Sequence, residues 1–352
     1  MKLEITKPAT ERRGFLFFRN VMLIWKPRSL FSGFQIVFLL FCFSLPVYAM
    51  GSVPVTTEVI NPTLSYVADY GSPRSSDVQL YYPYDVKVAM SGDLETGLGG
   101  IFVADTGNNR IQRWNNNGDF TYQFGGFGTQ LGKLNNPVSV AVDFNSRVYV
   151  VEKDNNRIQL FDIRGNTLGS VASGEYKYKS LRDPAGMDVD GLGYLYIADA
   201  GNDRVLKFDS NGQFLSEVGG FGYGLGFFDS PQDVAVDQNR YLYVADTNNN
   251  RIQKLDYDGR SLAVFGKVGD GPGQFSHPRG ITADRDFIYI SDSGNNRIQI
   301  LTKDGKFVAA FGEKGLGDGL FNNPGGICLG KKGQIFIADT GNNRIVELKI
   351  KY

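Results

Sequence analysis

Residues 337–348 read IADTGNNRIVEL, and five earlier segments repeat this phrase with small changes. Successive copies are 47, 47, 47, 46 and 47 residues apart, measured between their arginines. The six arginines are Arg110, Arg157, Arg204, Arg251, Arg297 and Arg344. A fixed period of this length indicates a repeat protein in which each unit packs against the next.

The repeat that begins at Pro231 shows the internal pattern of one unit. Apolar and polar residues alternate in PQDVAVD (231–237), YLYVAD (241–246), RIQKLD (251–256) and SLAVFG (261–266), with short segments rich in Asn, Asp and Gly between them. Alternation at period two predicts strands, and the residues between them favour tight turns. Four antiparallel strands at this period predict one blade of a β-propeller.

The last repeat lacks a fourth strand of its own, because the sequence ends soon after the third. Residues 64–82 have the length and pattern of the missing strand. Tyr70 stands 13 residues before Pro83, as Phe265 stands 13 residues before Pro278. We therefore predict an all-β fold: a six-bladed β-propeller with four antiparallel strands per blade, whose last blade is closed by the N-terminal strand. Such closure removes open sheet edges.

The first 49 residues differ from the repeats in charge and hydropathy. They carry seven Lys and Arg against two Glu, and then the apolar run FQIVFLLFCFSL (34–45) and a Val-Tyr-Ala ending at Ala49. This order is typical of a secretory signal peptide that is cleaved after Ala49. The basic segment is long, so Met22 is an alternative start to Met1.

An uncleaved membrane anchor over residues 30–50 is the alternative to cleavage, because this stretch approaches the length that spans a bilayer. We expect a signal peptide or anchor at 1–49, a short linker at 50–63 and the propeller at 64–352. The protein is then exported, either periplasmic or secreted, or else it is membrane-anchored with the propeller outside the cytoplasm.

The neutral total charge conceals an acidic propeller. Without residues 1–49, Lys and Arg fall from 37 to 30 and Asp and Glu fall from 37 to 35, which leaves a net charge of −5. Proteins that bind DNA or RNA draw most of their affinity from Lys and Arg on phosphates, so a nucleic-acid partner is disfavoured. Cys328 is the single cysteine after the signal segment, which excludes an intrachain disulfide in the exported form.

The repeated unit resembles the NHL repeat. The resemblance rests on the acid, turn and Asn-x-Arg-[Ile/Val] core and on openings such as PQDVAVD, and it extends over about residues 64–352. It implies a six-bladed propeller, in agreement with the strand count. It also implies divergent functions: protein- or RNA-binding modules, sensor domains outside bacterial cells, and lyases or lactonases with a metal at the channel mouth. The fold does not choose among them.

Each repeat places an acid at the end of its second strand and the arginine at the start of its third. The acids are Asp105, Glu152, Asp199, Asp246, Asp292 and Asp339, of which Glu152 is the exception. A single asymmetric ligand site does not need six copies of one pair. We therefore interpret the pairs as structural, with partly buried ion pairs and Asp–backbone hydrogen bonds that hold the loops.

The positions two residues after each repeat proline vary between blades, as a functional rim would. They are Asp85, Ser139, Gly186, Asp233, Gly280 and Gly326. These residues begin the innermost strands and are expected to face the channel mouth. Asp85 and Asp233 lie three blades apart, hence roughly opposite each other, and with Ser139 they are our candidate binding residues. Two such carboxylates can hold Ca²⁺ with backbone oxygens and water, so calcium is the alternative to having no cofactor.

Histidine content argues against the enzymes to which the resemblance extends. His277 is the single histidine, and a three-histidine zinc site cannot be built from one. It precedes Pro278 in a loop between blades, where we expect a solvated side chain. No Ser-His-Asp arrangement has a recognisable context. A cation-dependent lyase or lactonase that uses Asp85 and Asp233 is the alternative function.

Aromatic residues cluster in the loops that join one blade to the next. They are Tyr81, Tyr82, Tyr84, Phe127, Phe221, Tyr223 and Phe227. Because strands alternate in direction, these loops and the acid–arginine loops emerge on one face, whereas an insertion within SGDLETGLGG (91–100) belongs to the opposite face. Exposed aromatics with few charges fit a contact surface, with packing between blades as the alternative for each residue.

We therefore predict a non-catalytic, extracytoplasmic propeller that acts as a scaffold or sensor, and we assign no catalytic residue. A protein or peptide is the expected partner, a glycan is the alternative, and contact with a membrane is expected only through an uncleaved segment at residues 30–50.

Overall fold

The computed structural model describes residues 62–71, 78–89, 100–171 and 180–351. The predicted signal peptide or anchor, most of the predicted linker and the insertion of the first blade lie outside these ranges. Within them the chain forms strands joined by turns and by short 3-10 helices. In this part of the chain no helix has the length and apolar character needed to cross a membrane.

The strands form six antiparallel four-stranded sheets, which are the blades. Blade 1 contains β2 (Pro83–Ala89), β3 (Gly100–Asp105), β4 (Arg110–Trp114) and β5 (Phe120–Gly125). Blade 2 contains β6 (Pro137–Val142), β7 (Arg147–Glu152), β8 (Arg157–Asp162) and β9 (Thr167–Val171). Blade 3 contains β10 (Pro184–Val189), β11 (Leu195–Asp199), β12 (Arg204–Phe208) and β13 (Phe214–Gly219).

The second half of the ring repeats this order. Blade 4 contains β14 (Asp233–Val236), β15 (Leu242–Asp246), β16 (Arg251–Leu255) and β17 (Ser261–Phe265). Blade 5 contains β18 (Pro278–Ala283), β19 (Phe287–Asp292), β20 (Arg297–Thr302) and β21 (Phe307–Phe311). Blade 6 contains β22 (Ile327–Leu329), β23 (Gln334–Asp339), β24 (Arg344–Lys351) and, from the other end of the chain, β1 (Thr63–Tyr70).

Ring closure follows the sequence prediction. β1 pairs antiparallel with β24, with Thr63 opposite Lys351 and Tyr70 opposite Ile345. The innermost strands contact one another around the whole ring, including β22 of blade 6 with β2 of blade 1. The predicted six-bladed propeller, with a last blade closed by the N-terminal strand, is confirmed.

The hydrophobic core lies between the blades. Six clusters of buried apolar residues each combine side chains of two adjacent blades. One large apolar residue three positions before each repeat proline is buried at these interfaces; the six are Leu80, Leu134, Leu181, Phe228, Phe275 and Phe321. Because every blade buries one face against each neighbour, the ring is stabilised by interfaces that repeat with the sequence.

Four of the 3-10 helices occupy the turn between the second and third strands of a blade. They are Thr106–Asn108, Ala200–Asn202, Ser293–Asn295 and Thr340–Asn342, and a fifth, Lys331–Gly333, lies in the first turn of blade 6. Each of the four is followed by an Asn or Asp with left-handed backbone, such as Asn109 at φ 53°. Asn and Asp tolerate this conformation, which explains their place before every arginine.

Candidate functional site

The repeated acid and arginine meet in every blade, as blade 4 shows. The Asp246 carboxylate is fully buried and accepts a hydrogen bond from Nε of Arg251 at 2.6 Å. The remaining Arg251 donors reach the carbonyl oxygens of Tyr223 (2.6 Å), Gly224 (2.9 Å) and Phe227 (3.1 Å). The pair therefore holds the loop that enters the blade.

The other five blades contain the same ion pair. The nitrogen–oxygen distances are 2.6 Å for Arg110–Asp105, 2.5 Å for Arg157–Glu152, 2.7 Å for Arg204–Asp199, 2.8 Å for Arg297–Asp292 and 2.8 Å for Arg344–Asp339. The longer Glu152 thus serves in place of Asp. All six arginines also donate to a backbone carbonyl of the segment that leads into their own blade. The geometry supports the structural interpretation of these residues.

Sequence reasoning missed a third member of this network. A fully buried glutamine two residues after the arginine donates to the same acid in four blades. These bonds are Gln112–Asp105 (3.0 Å), Gln159–Glu152 (2.8 Å), Gln253–Asp246 (3.1 Å) and Gln299–Asp292 (2.9 Å). The Arg-x-Gln spacing in four repeats was the signal that could have revealed it.

Asp85, a candidate rim residue, joins three blades. One of its carboxylate oxygens accepts hydrogen bonds from the Ser139 hydroxyl (2.8 Å) and the Val140 N–H (3.0 Å), both in blade 2. A Cβ at Gly326 of blade 6 would lie 1.9 Å from the other oxygen. Glycine at that position therefore makes room for the carboxylate.

Asp233 repeats this arrangement on the other side of the ring. One oxygen accepts a hydrogen bond from the Ile281 N–H of blade 5 at 2.9 Å, and a Cβ at Gly186 of blade 3 would lie 2.1 Å from the other. At Gly280 a Cβ would come within 2.4 Å of the Gly325 carbonyl oxygen. Close packing around the axis accounts for much of the variation at the six rim positions.

The two rim carboxylates share an electrostatic environment. Burial raises the pKa of Asp85 and of Asp233, and the negative charge of Asp85 raises the pKa of Asp233 further. The Lys87 ammonium acts in the opposite direction on both. Burial disfavours the charged form of Lys87, but an ion pair of 2.5 Å with Asp188 outweighs this, so the net pKa of Lys87 is raised.

Polar side chains also bridge the channel, which the sequence did not predict. The Tyr84 hydroxyl of blade 1 donates to Oε1 of Gln232 in blade 4 at 3.0 Å, and Lys87 of blade 1 reaches Asp188 of blade 3. The Arg279 guanidinium of blade 5 lies 5.6 Å from the Tyr84 ring centroid. Polar residues at inward positions of the first strands were the available signal.

This geometry is a poor fit to calcium. The carboxylate oxygens of Asp85 and Asp233 already accept backbone or hydroxyl hydrogen bonds, and the Lys87 ammonium shares their space. Among the described residues no three His, Cys, Asp or Glu side chains are grouped as metal ligands. Ca²⁺ prefers six to eight oxygen ligands, and we derive no chemistry through it.

The single histidine lies at the surface, and Cys328 lies in the core. His277 is exposed, and its backbone N–H donates to Oδ1 of Asn250 at 2.8 Å. Cys328 is buried in β22, and burial raises the pKa of its thiol to about 12. At neutral pH the thiol is therefore protonated and inert.

Exposed apolar side chains concentrate on what we call the crossing-loop face, formed by the loops that lead from the fourth strand of one blade to the first strand of the next. The described members are Tyr81, Tyr82, Phe127, Leu131, Phe221, Tyr223, Leu225, Phe227, Val268 and Leu316. The first turns on the opposite face, which we call the hairpin face, expose Phe144 and Leu192. Patches of exposed apolar residues mark interaction surfaces.

Comparison with known proteins agrees with this architecture. The NHL repeat family model matches residues 228–255, 275–301 and 321–348. No curated protein is similar to the chain in sequence. Similar solved structures include a streptogramin B lyase (15% identity, TM-score 0.56, 83% of this chain and 98% of that one).

Two further solved structures are similar to this chain to about the same degree. They are the virginiamycin B lyase of Staphylococcus aureus (14% identity, TM-score 0.52, 82% and 99% covered) and an auxiliary nutrient binding protein of Bacteroides ovatus (13%, 0.57, 83% and 77%). At such identities the likeness shows the fold and not the function. The chain therefore folds as a six-bladed β-propeller, and three of its segments, residues 228–255, 275–301 and 321–348, match the NHL repeat.

Proposed function

We propose that this chain is an exported, non-catalytic propeller that binds another protein through its crossing-loop face. The observation that carries the proposal is the row of exposed apolar side chains on loops that the buried arginines hold in place. The loop between blades 3 and 4 is the strongest example, because Phe221, Tyr223, Leu225 and Phe227 are all exposed within seven residues.

That loop is ordered before any partner arrives. Besides the three carbonyl bonds from Arg251, the Gly226 N–H donates to the buried Gln253 at 3.0 Å. The Arg251 guanidinium lies 4.5 Å from the Tyr223 ring centroid. A loop fixed in this way loses little conformational entropy on binding, so its aromatic side chains contribute more of their contact energy to affinity.

The channel mouth gives little support to a lyase or lactonase. Its two candidate carboxylates are engaged in contacts between blades, and Tyr84 and Gln232 bond across the axis. The similarity to lyases stated above concerns the fold. A binding role therefore explains more of the surface than a catalytic role at the axis does.

Export is a part of this proposal that rests on residues 1–49, outside the described ranges. Its support is the basic segment, the apolar run and the Ala49 ending, together with the acidic balance of residues 50–352.

Two matched double variants of the full chain test the proposed face. Phe221→Ser with Leu225→Ser removes apolar area from the crossing-loop face, and Phe144→Ser with Leu192→Ser removes a similar area from the hairpin face. We expect affinity capture from the culture fluid or envelope to recover a partner with the wild type and the hairpin-face variant, and to lose it with the crossing-loop variant. Equal recovery by both variants, or loss only with the hairpin-face variant, contradicts the proposal.

A calcium titration tests the alternative function. With Ca²⁺ in millimolar excess we expect no heat of binding and no change in melting temperature. A thermal shift that disappears in Asp233→Asn would favour a cation-dependent enzyme instead.

A further inference from the structure

Blade 1 departs from the repeat at the two residues before its proline. In the other blades these residues are polar: Asn135–Asn136, Arg182–Asp183, Asp229–Ser230, Ser276–His277 and Asn322–Asn323. In blade 1 they are Tyr81–Tyr82. These two residues have the same structural role in all six blades. A different pair in one blade therefore indicates a role that the other blades do not have.

The backbone conformation at this position is unfavourable for a tyrosine. The residue before the proline has positive φ in every blade, from 45° at Asp183 to 55° at Asn136, and Tyr82 is at 49°. Asn, Asp, Ser and His fill the other five positions, and Asn, Asp and His are the types that tolerate such angles best. A bulky residue there is strained by about 1–3 kcal/mol. Packing does not repay this, because the Tyr82 side chain is 52% exposed.

Blade 2 departs from the repeat at a place that faces the same spot. After its acid the chain reads Lys153–Asp154, where the other repeats have Thr, Ala or Ser followed by Gly or Asn. The structure brings the two departures together around a cavity of about 470 Å³, which Tyr81, Tyr82 and Asp154 help to line. Tyr84, Thr106, Gly107, Asn109, Asn135 and Asn136 also line it. We call Tyr81, Tyr82, Asn135, Asn136 and Asp154 the tyrosine groove.

The groups in the groove are suited to a cation. The rings of Tyr81 and Tyr82 are nearly perpendicular (87°) with centroids 5.1 Å apart, and both side chains are half exposed. Among the described residues Asp154 is the one carboxylic acid that lines the cavity, and Nδ2 of Asn136 donates to its carboxylate at 2.9 Å. Aromatic rings beside an oriented carboxylate are the groups that recognise alkylammonium and guanidinium ions.

We propose that the tyrosine groove binds a Lys or Arg side chain of the partner protein. The cation would lie against the tyrosine rings with Asp154 as its counter-ion, and the net charge of −5 over residues 50–352 favours a basic partner. This inference rests on the proposed function, since the groove belongs to the crossing-loop face, and it adds the chemistry of the partner.

The test uses the full chain with tyrosine rings labelled with ¹³C and three probes: the blocked peptide Gly-Gly-Arg-Gly-Gly, the same peptide with neutral citrulline in place of arginine, and methyl glucoside. We expect saturable shifts of tyrosine signals with the arginine peptide and binding at least about tenfold weaker with citrulline, because the cation–π and ionic contacts are lost. Tyr82→Asn and Asp154→Asn should abolish the shifts, whereas Leu192→Ser should leave them unchanged. Thermal melts confirm that each variant is folded.

Equal affinity for the citrulline peptide, or no saturable binding of the arginine peptide, overturns the inference. Binding of methyl glucoside that requires Tyr82 also overturns it, in favour of a carbohydrate site. If the arginine peptide fails while partner capture still depends on Phe221 and Leu225, the inference is wrong and the proposed function stands. If capture is lost equally from both faces, the proposed function itself fails.

Discussion

The acid–arginine network and the tyrosine groove lie on the same face of the propeller, yet they obey opposite rules. The network is present in all six blades, its acids are fully buried, its arginine side chains are at most 21% exposed, and each acid accepts several hydrogen bonds. The groove occurs once, is half exposed, and holds Tyr82 in a backbone conformation that suits other residues better. In a repeat protein, features common to every unit serve folding, and costly exceptions are the places to look for function.

The acid–arginine network also allows the tyrosine groove to differ from the matching sites of the other blades. Its arginines fix the backbone of the loops, so the side chains at the loop surface are free to change from blade to blade. Tyr82 illustrates this, because its N–H donates to Oδ1 of Asn343 at 2.7 Å as the matching His277 N–H donates to Asn250. The scaffold of the loop is conserved between blades while the side chain it presents differs.

The largest expected effect comes from breaking the network. Asp246→Ala leaves the nearly buried Arg251 guanidinium, with a side chain 4% exposed, without its counter-ion. We expect a loss of about 3–5 kcal/mol in the free energy of unfolding, measured by chemical denaturation. Asp286→Ala, at an exposed turn residue, is the control and should change stability by less than about 0.5 kcal/mol. A fully stable Asp246→Ala with altered binding would make the network a ligand site.

A smaller effect is expected from titration at the channel. Burial and Asp85 raise the folded-state pKa of Asp233 above its unfolded value of about 4. Between these two values the folded state binds a proton that the unfolded state does not, so stability falls as pH rises through this window. The slope from this group approaches about 1.4 kcal/mol per pH unit and vanishes above the folded pKa.

Asp233→Asn should remove this contribution to the slope, and Asp286→Asn should keep it. The readout is the free energy of unfolding from pH 4 upward, compared by slope because asparagine also loses one hydrogen-bond acceptor. Parallel curves for Asp233→Asn and the wild type would show that the carboxylate titrates normally.

The smallest expected effect concerns the residue before the repeat proline, which is Tyr in blade 1 and Asn in blades 2 and 6. Tyr82→Asn gives blade 1 the residue that Asn136 and Asn323 supply in blades 2 and 6, so we expect it to increase the free energy of unfolding by about 1 kcal/mol as strain is released. The reverse change, Asn323→Tyr, should destabilise by a similar amount. Chemical denaturation of both variants measures the two changes in the free energy of unfolding. If Tyr82→Asn proves less stable than the wild type, Tyr82 has a packing role and its exception is structural.

The periodic features were open to prediction because they repeat. The arginine spacing fixed six units, alternation fixed four strands in each, and the length of residues 64–82 fixed the closing strand, which begins one residue earlier than predicted at Thr63. The pairing of each arginine with an acid also followed, since both flank one short turn. The glutamines were missed, although Arg-x-Gln recurs in four of the blades.

The sequence alone thus determined the blade count, the closure and the pairing of each acid with its arginine, because these depend on spacing along the chain and on pairings between residues close in sequence. Only the tertiary structure decided which blades meet at the axis and at the groove. Tyr84 and Gln232 are 148 residues apart and Lys87 and Asp188 are 101 apart, yet ring closure brings each pair into contact. No local pattern encodes such a contact, because it depends on the shape of the closed ring.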